Sequence, residues 1–429
     1  MTIFELIRRQ GSDVARRGRT IFMRKVNRAF RVACLLLPAL AVFLLMRLLR
    51  WPLVIRINPL FSSRLGHFAG NTELYLCERD AGINVPRGRY VDLCYYNGRL
   101  ANEQLATMWR RSLRIWPSWL LGPALRLNRV VPGGSIHEVQ NNTQHDRDVL
   151  NLLECTPPHL TFTQEEEQRG RAGLRAMGIP DEGEFICLIA RDSAYLDAHA
   201  PDGNLDFYSY HDYRDVDIQN YVLAAEALAD LGYYVIRMGA IVNSPINSRH
   251  PKVIDYATNG MRTDFMDIYL GANCFFCISL GAGFDAIPAI FRRPMALVNL
   301  VPLGYHYTWS KDALCICKKH WLTSEARWLS FKEIFGRGVG FSKHSSEYEE
   351  RGVEVIENTP EEIRALVIEM SQRLTGTWEP EPGDEEFQRR FWEIYPADAR
   401  DRTKNQPLHG KILARYGAQF LRDNREWLS

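Results

Sequence analysis

Residues Cys274-Phe-Phe-Cys-Ile-Ser-Leu-Gly-Ala-Gly-Phe-Asp-Ala-Ile-Pro-Ala-Ile-Phe-Arg-Arg-Pro-Met-Ala-Leu-Val-Asn299 decide the fold. Cys274 to Ser279 reads as a strand, Ser279 to Asp285 as a glycine-bearing loop, Ala286 to Phe291 as a short helix, and Met295 to Asn299 as a second strand. Upstream, Glu184 to Ala190 is a near-continuous apolar strand of the kind buried in a parallel sheet. Tyr233 to Met238 and Lys252 to Tyr256 read as further strands, with helices expected over Asp217 to Leu231 and Asp264 to Leu270. Strand and helix alternating at this spacing give an α/β fold with a doubly wound parallel sheet.

The pattern is thinner toward the N-terminus. Leu53 to Ile57 and Tyr90 to Tyr96 read as strands, with a loop over Ser62 to Asn71, a short helix from about Thr72, and an amphipathic helix over Asn102 to Ile115. Between Pro117 and Thr161 the signals are mixed and no strand is placed. Thr163-Gln-Glu-Glu166 is a capping box that opens a helix running to about Met177, stopped by Gly178 and Pro180. From about Ser346 the tail is expected to be helical, over Thr359 to Leu374, Glu385 to Ile394 and His409 to Trp427. The expected divisions are a leader at 1–52, an α/β domain at 53–180, a second α/β domain at 181–345 and a helical tail at 346–429.

The chain has 429 residues, of which 46% are hydrophobic and 24% charged, so it can bury large cores in two or three domains. Its net charge of +2 hides an asymmetry: the first 31 residues carry nine basic and two acidic side chains, leaving the remaining 398 at −5. A mildly acidic body has no basic face for nucleic acid. Val32 to Met46 follow with no charge, fifteen residues where roughly 20 are needed to span a bilayer, and Arg47, Arg50, Arg56 and Arg64 lie beyond. Arginine on both flanks points to a monotopic helix lying on an anionic membrane surface, at the cytoplasmic face of the inner membrane. The nine cysteines are scattered, as in a reducing compartment, and Cys274 with Cys277 reads as two buried thiols rather than a metal or redox pair.

Ligands of open parallel sheets bind beyond the carboxyl ends of the strands. That rule selects Ser279, Gly281, Gly283 and Asp285, where glycine lets the backbone approach a phosphate and the following helix offers free N–H groups. It also selects Arg191, Arg237 with Gly239, and Asp255, since arginine clamps a diphosphate and a carboxylate accepts from ribose hydroxyls. Ion pairing or capping is the alternative for each. Asp215-Val-Asp217 matches the metal-binding DxD of sugar transferases but stands just before a long helix, so it is read as capping, and no metal is assigned. His67 is the candidate general base, its ordinary pKa near 6.5 suiting proton abstraction at neutral pH. There is no GxSxG, HExxH or P-loop.

The strings Tyr213-Arg-Asp-Val-Asp-Ile218, Gly232-Tyr-Tyr-Val-Ile-Arg-Met-Gly239, Val253-Ile-Asp-Tyr256, Thr263-Asp-Phe-Met-Asp-Ile-Tyr-Leu270 and Gly283 to Asn299 resemble, in order and spacing, a family of bacterial glycosyltransferases encoded in surface-polysaccharide gene clusters. Arg64-Leu-Gly-His-Phe68 and Gln419-Phe-Leu-Arg-Asp-Asn424 are similar to it as well. The resemblance implies a GT-B-like architecture, two Rossmann-like domains facing a cleft, with a nucleotide-sugar donor held mainly by the C-terminal one and usually no catalytic metal; the nucleotide sugar is a substrate, and no cofactor is expected. It places Arg191, Arg237, Gly239, Asp255, Ser279, Gly281, Gly283 and Asp285 on the donor side, and Arg64, Gly66 and His67 on the N-terminal domain. The expected activity is transfer of a sugar to a lipid-linked or growing saccharide acceptor. The alternatives are a sugar-nucleotide 2-epimerase of the same fold, which needs no membrane attachment, and a non-catalytic membrane scaffold.

Overall fold

The computed structural model describes residues 36–140, 147–200, 205–401 and 405–429. The basic leader lies outside the described residues. In chain order the main helices are α1 (residues 36–49), α2 (Leu65–Asp80), α3 (Glu103–Ser112), α4 (Ser118–Val130), α5 (Gln164–Ala176), α6 (Val222–Asp230), α7 (Asp264–Asn273), α8 (Ala286–Ile290), α9 (Phe331–Gly336), α10 (Pro360–Thr375), α11 (Asp384–Ile394) and α12 (Ala418–Asp423). The strands are β1 (Val54–Leu60), β2 (Tyr90–Tyr96), β3 (Phe185–Ile189), β4 (Tyr234–Met238), β5 (Val253–Ile254), β6 (Cys277–Ser279), β7 (Met295–Leu300), β8 (Ala313–Cys317), β9 (Lys319–Leu322), β10 (Arg327–Trp328), β11 (Val353–Ile356) and β12 (Arg415–Tyr416).

Two compact units interleave along the chain. The first takes the chain up to Phe61 with Asn84–Arg99 and Leu113–Asn141, and the second takes Ser62–Ile83, Leu100–Ser112 and Asn142–Ser429.

In the first unit β1 and β2 pair in parallel from Val54 opposite Tyr90 to Leu60 opposite Tyr96. Single parallel bridges flank them, Ile57 to Glu138 and Cys94 to Ile115. The Rossmann-like domain implied for this region is thus a two-stranded rudiment among the described residues. Ile55, Ile57 and Tyr95 pack with Leu121, Ala124 and Leu125 of α4 and with Ala39 and Met46 of α1. Arg56 is buried on β1 and satisfied by Asp92 at 2.7 Å, a bidentate pair that replaces lost water with two charge-assisted bonds.

The second unit carries a seven-stranded sheet in the order β12-β8-β7-β6-β3-β4-β5. Every pairing in it is parallel. All five residues of β3 are buried, as its unbroken apolar sequence requires. The chain runs outward from β3 to β4 and β5, then returns to the other side of β3 and proceeds through β6, β7 and β8, so the strand order reverses between β3 and β6. A small antiparallel sheet, β10-β9-β11, follows. The Thr163 capping box forms as expected, and Thr359 with Glu362 makes another at α10, where Pro360 occupies the first turn and Gly376 closes the end at φ 73°.

Several expectations change, and the tail from about Ser346 carries strand β11 as well as helices. The segment His409 to Trp427 is not one helix: Arg415–Tyr416 joins the main sheet beside β8, and only α12 and a 3-10 turn at Arg425–Leu428 are helical. Gly417 stands at the start of α12 with its bare backbone against the core; a Cβ there would stand 2.7 Å from Leu366. Neighbouring Tyr416 is held at 4.0 Å between ring centroids by Phe391. The helix expected near Thr72 begins at Leu65, because Gly66 and Gly70, which mimic loop signals, are buried packing positions of α2. Each glycine costs about 1 kcal/mol of helix propensity, which tertiary packing overrides.

Candidate functional site

The reversal between β3 and β6 puts two loops side by side at the carboxyl edge of the sheet, all within the second unit. After β6, Ser279 donates its hydroxyl to the Asp285 carboxylate, and both residues are fully buried. This bond locks the turn that carries Gly281, at φ 89°, and the exposed Gly283. A Cβ on Gly283 would stand 3.5 Å from the backbone nitrogen of Gly66, so the first turn of α2 lies against this turn. Arg64 stands at the N-cap position of α2 without a side-chain capping bond, and His67 sits, half-buried, in its first turn rather than in a loop. Arg64, Gly66 and His67 therefore belong to the same unit as the sheet. Helix α8 has only five residues and follows a 3-10 turn, Gly283–Asp285, so its dipole adds little.

After β3 the chain supplies the charge. Arg191 donates to the backbone carbonyl of His211 at 3.0 Å and pairs with the Asp215 carboxylate at 2.6 Å. Lys318, buried just after β8, donates to the backbone carbonyl of Asp215 at 2.7 Å. Arg214 donates to the backbone carbonyl of Gly281, tying this segment to the glycine loop. Burial, then the fields of Arg214, Arg191, His344 and Arg64, push His211 down to about 4. Burial likewise pushes Lys318 down to about 8, and it lifts Asp215 to about 6 against the pull of Arg191. Arg191, Arg214 and Lys318 thus form a cationic cluster at the edge where an anionic group would be received, with Asp215 paired to Arg191 and the fields of Asp212 and Glu357 also reaching it.

Sequence reasoning found Arg191 and the glycines of this cluster and missed Arg214 and Lys318. Arg214 ends a 3-10 helix, Leu205–Arg214, and Lys318 directly follows β8, neither of which the pattern placed. Two other candidates hold one another: Arg237, with no exposed surface, pairs with Asp255 at 3.3 Å and donates to the Ser244 carbonyl at 3.1 Å, while Asp255 also accepts from the backbone N–H of Ile246 at 3.1 Å. This is the ion-pair alternative stated for them. Gly239 ends β4 where a Cβ would meet Val242 at 2.6 Å. Asp217 caps the turn before α6 through the N–H of Gln219 at 2.9 Å, as expected, whereas Asp215 faces Arg191 and caps nothing.

Among the described residues one group has metal-ligand spacing, Glu73, Cys77 and His159. Its charges are already matched: Arg292 lies 2.6 Å from Glu73, and His159 bridges Glu73 at 3.1 Å and Asp80 at 3.0 Å. It is an ion-pair network holding α2 to the loop before α5 and to the end of α8. Cys274 and Cys277 are both buried, and burial drives the Cys277 thiol well up, leaving it protonated and inert. A surface groove lined by Asp181, Glu182, Tyr233 and Lys252 lies at the amino ends of β3 to β5, the opposite edge from the cluster.

No protein-family model matches the sequence, and no curated protein matches it. Solved structures similar to the chain include the ADP-heptose lipopolysaccharide heptosyltransferase II of E. coli, at 13% identity over 74% of this chain and 99% of that one, with a TM-score of 0.40. A glycosyl transferase of family 9 from Veillonella parvula is 10% identical over 76% of this chain and 97% of its own, at 0.40. An E. coli heptosyltransferase solved with ADP-2-deoxy-2-fluoro heptose is 10% identical over 61% and 93%, at 0.29. Similarity at this level gives no residue a role, so the site is read from its own chemistry.

Proposed function

We propose that this chain is a GT-B-like glycosyltransferase that moves a sugar from a nucleoside-diphosphate sugar to a lipid-linked or growing saccharide acceptor in bacterial surface-polysaccharide synthesis. It works at the cytoplasmic face of the inner membrane, without a resident metal or cofactor. The observation that carries the reading is the cluster of Arg191, Arg214 and Lys318 at the point where the strand order reverses, beside the open backbone of Gly283. The sequence resemblance points the same way.

As the bond between the sugar and the diphosphate breaks, negative charge grows on the leaving oxygen. Preorganised guanidinium and ammonium groups stabilise that charge without reorganising, which is the largest contribution such a site makes. His67, beside the Gly283 turn, is the group proposed to take the proton of the acceptor hydroxyl. Ser279 and Asp285 hold the turn, and Arg237 with Asp255 holds the ends of β4 and β5.

A thermal-shift panel of nucleoside diphosphates and nucleotide sugars tests the reading, because a ligand that binds only the folded state raises the melting temperature. A shift with one nucleotide family, followed by transfer of its sugar, is the expected result. An epimerised sugar nucleotide as product would indicate the epimerase instead, and no shift with any nucleotide would leave the scaffold.

A further inference from the structure

Helix α1 buries Ala39 and Met46 in the core of the first unit and turns its other side outward. Leu37, Leu44 and Leu48, seven and four residues apart, lie on one face of the helix and are 65%, 48% and 76% exposed, and Trp51 just beyond is 85% exposed. Helix α4 repeats the arrangement. Trp119, Pro123, Leu127 and Val130 recur every three or four residues, with Trp119 half exposed and Val130 at 78%. Arg47 joins the two elements, donating to the carbonyls of Val131 at 2.9 Å and Pro132 at 3.0 Å.

Resting on the membrane reading above, we infer that the outward stripes of α1 and α4 form one docking face that lies in the interfacial layer of an anionic phospholipid bilayer. The first unit itself then docks, in addition to the basic leader. Soluble chains seldom leave apolar patches of this kind open, and tryptophan prefers the headgroup level. Because α1 packs Ala39 and Met46 on its other side into the core of the unit, the exposed face lies in the plane of the membrane. Charge selects lipid over a second copy of the chain: the segment that enters α1 carries +7, which an anionic surface attracts and a like-charged partner repels.

The test uses the full chain with vesicles of phosphatidylcholine mixed with phosphatidylglycerol, with or without brominated acyl chains that quench nearby tryptophan. The wild type should sediment with the vesicles and be quenched. Trp51→Phe with Trp119→Phe should remove most of the quenching although eight of the ten tryptophans remain. Leu44→Ser with Leu48→Ser should weaken partitioning about tenfold or more while the nucleotide thermal shift persists. Binding with unchanged quenching in the tryptophan variant overturns this face and leaves the leader as the anchor. Failure of the wild type to bind any vesicle overturns the membrane reading as a whole. A dimer in sedimentation equilibrium that Leu44→Ser and Leu48→Ser dissociate, with vesicle binding unaltered, overturns the choice of lipid.

Discussion

The Arg191 guanidinium stands 2.6 Å from the Asp215 carboxylate, joining the end of β3 to the residue that half of a metal-binding motif would have claimed. Asp215 thereby controls how much of the Arg191 charge an incoming anion meets. Because burial lifts it to about 6, it is neutral below that pH and leaves Arg191 uncompensated. Above it the carboxylate competes with the ligand. Lys318, pushed down to about 8, loses its own charge as the pH rises further. Affinity for a nucleotide sugar, whose diphosphate diester keeps its charge throughout, should therefore fall by about tenfold between roughly pH 5 and 9. Titration calorimetry across that range checks this, and Asp215→Asn should remove the limb near pH 6. A flat profile in the wild type would remove the cluster from the binding site.

Gly283 gives a steric test of the same edge. One added methyl would sit at ordinary contact distance, 3.5 Å from the Gly66 nitrogen, but a branched side chain would cover the backbone on which a phosphate must rest. Gly283→Ala should bind nucleotide within about threefold of wild type, and Gly283→Val should lose at least about tenfold. Since Gly283 is exposed, both should melt within a few degrees of wild type. Equal affinity in a folded Gly283→Val protein would exclude this turn as the phosphate contact.

How far the sequence could be read follows from where each element gets its stability. Strand β3 is a continuous apolar run, and β4 and β7 are each interrupted by one buried polar residue, Arg237 and Asn299; such runs need both faces covered, so their sequence largely states their environment. Strand β12 has two residues and exists through distant partners: the backbone N–H of Cys317 donates to the Tyr416 hydroxyl at 2.9 Å, and Gln388 receives the N–H of Tyr416 at 3.0 Å. No local pattern encodes such bonds. The same holds for the site. Arg191 was legible because it directly follows a strand, whereas Arg214 reaches Gly281 from 67 residues away. Arg237 and Asp255 were placed correctly at strand ends, but only coordinates show that each is the other's partner.

That pair makes a prediction opposite to the one for Asp215. Removing the Asp255 carboxylate leaves a fully buried guanidinium without its counter-charge, a loss of about 3 kcal/mol. Asp255→Asn should thus lower the urea midpoint of unfolding while the protein that stays folded binds nucleotide within about threefold of wild type. A large loss of affinity at unchanged stability would return Asp255 to the ligand.

Asp217 offers a direct test of metal. Its carboxylate receives the N–H of Gln219 at 2.9 Å, so Asp217→Ala should cost about 1 kcal/mol of stability. Transferase activity should be the same with and without EDTA. Loss of activity in chelator, restored by magnesium or manganese, would mean that a divalent ion is required.

The network around His159 ties pH to stability at the other end of α2. Burial works against the imidazolium, but hydrogen bonds with Cys77, Glu73 and Asp80 outweigh it and hold His159 up at about 10. In the unfolded chain the same group titrates near 6.5. The folded state therefore binds the proton more tightly, and its stabilisation is complete below about pH 6.5 and lost progressively as pH rises toward about 10. Asp80 is 46% exposed, and solvent screening there reduces the effect to about 2 kcal/mol, well below what the full shift would imply. His159→Gln should melt lower than wild type at pH 6, and the difference should shrink steadily on raising the pH to 10. Calorimetric melting of both proteins at four or five pH values decides it. A difference independent of pH would mean that His159 contributes packing rather than charge, and that Arg292, 2.6 Å away, alone neutralises Glu73.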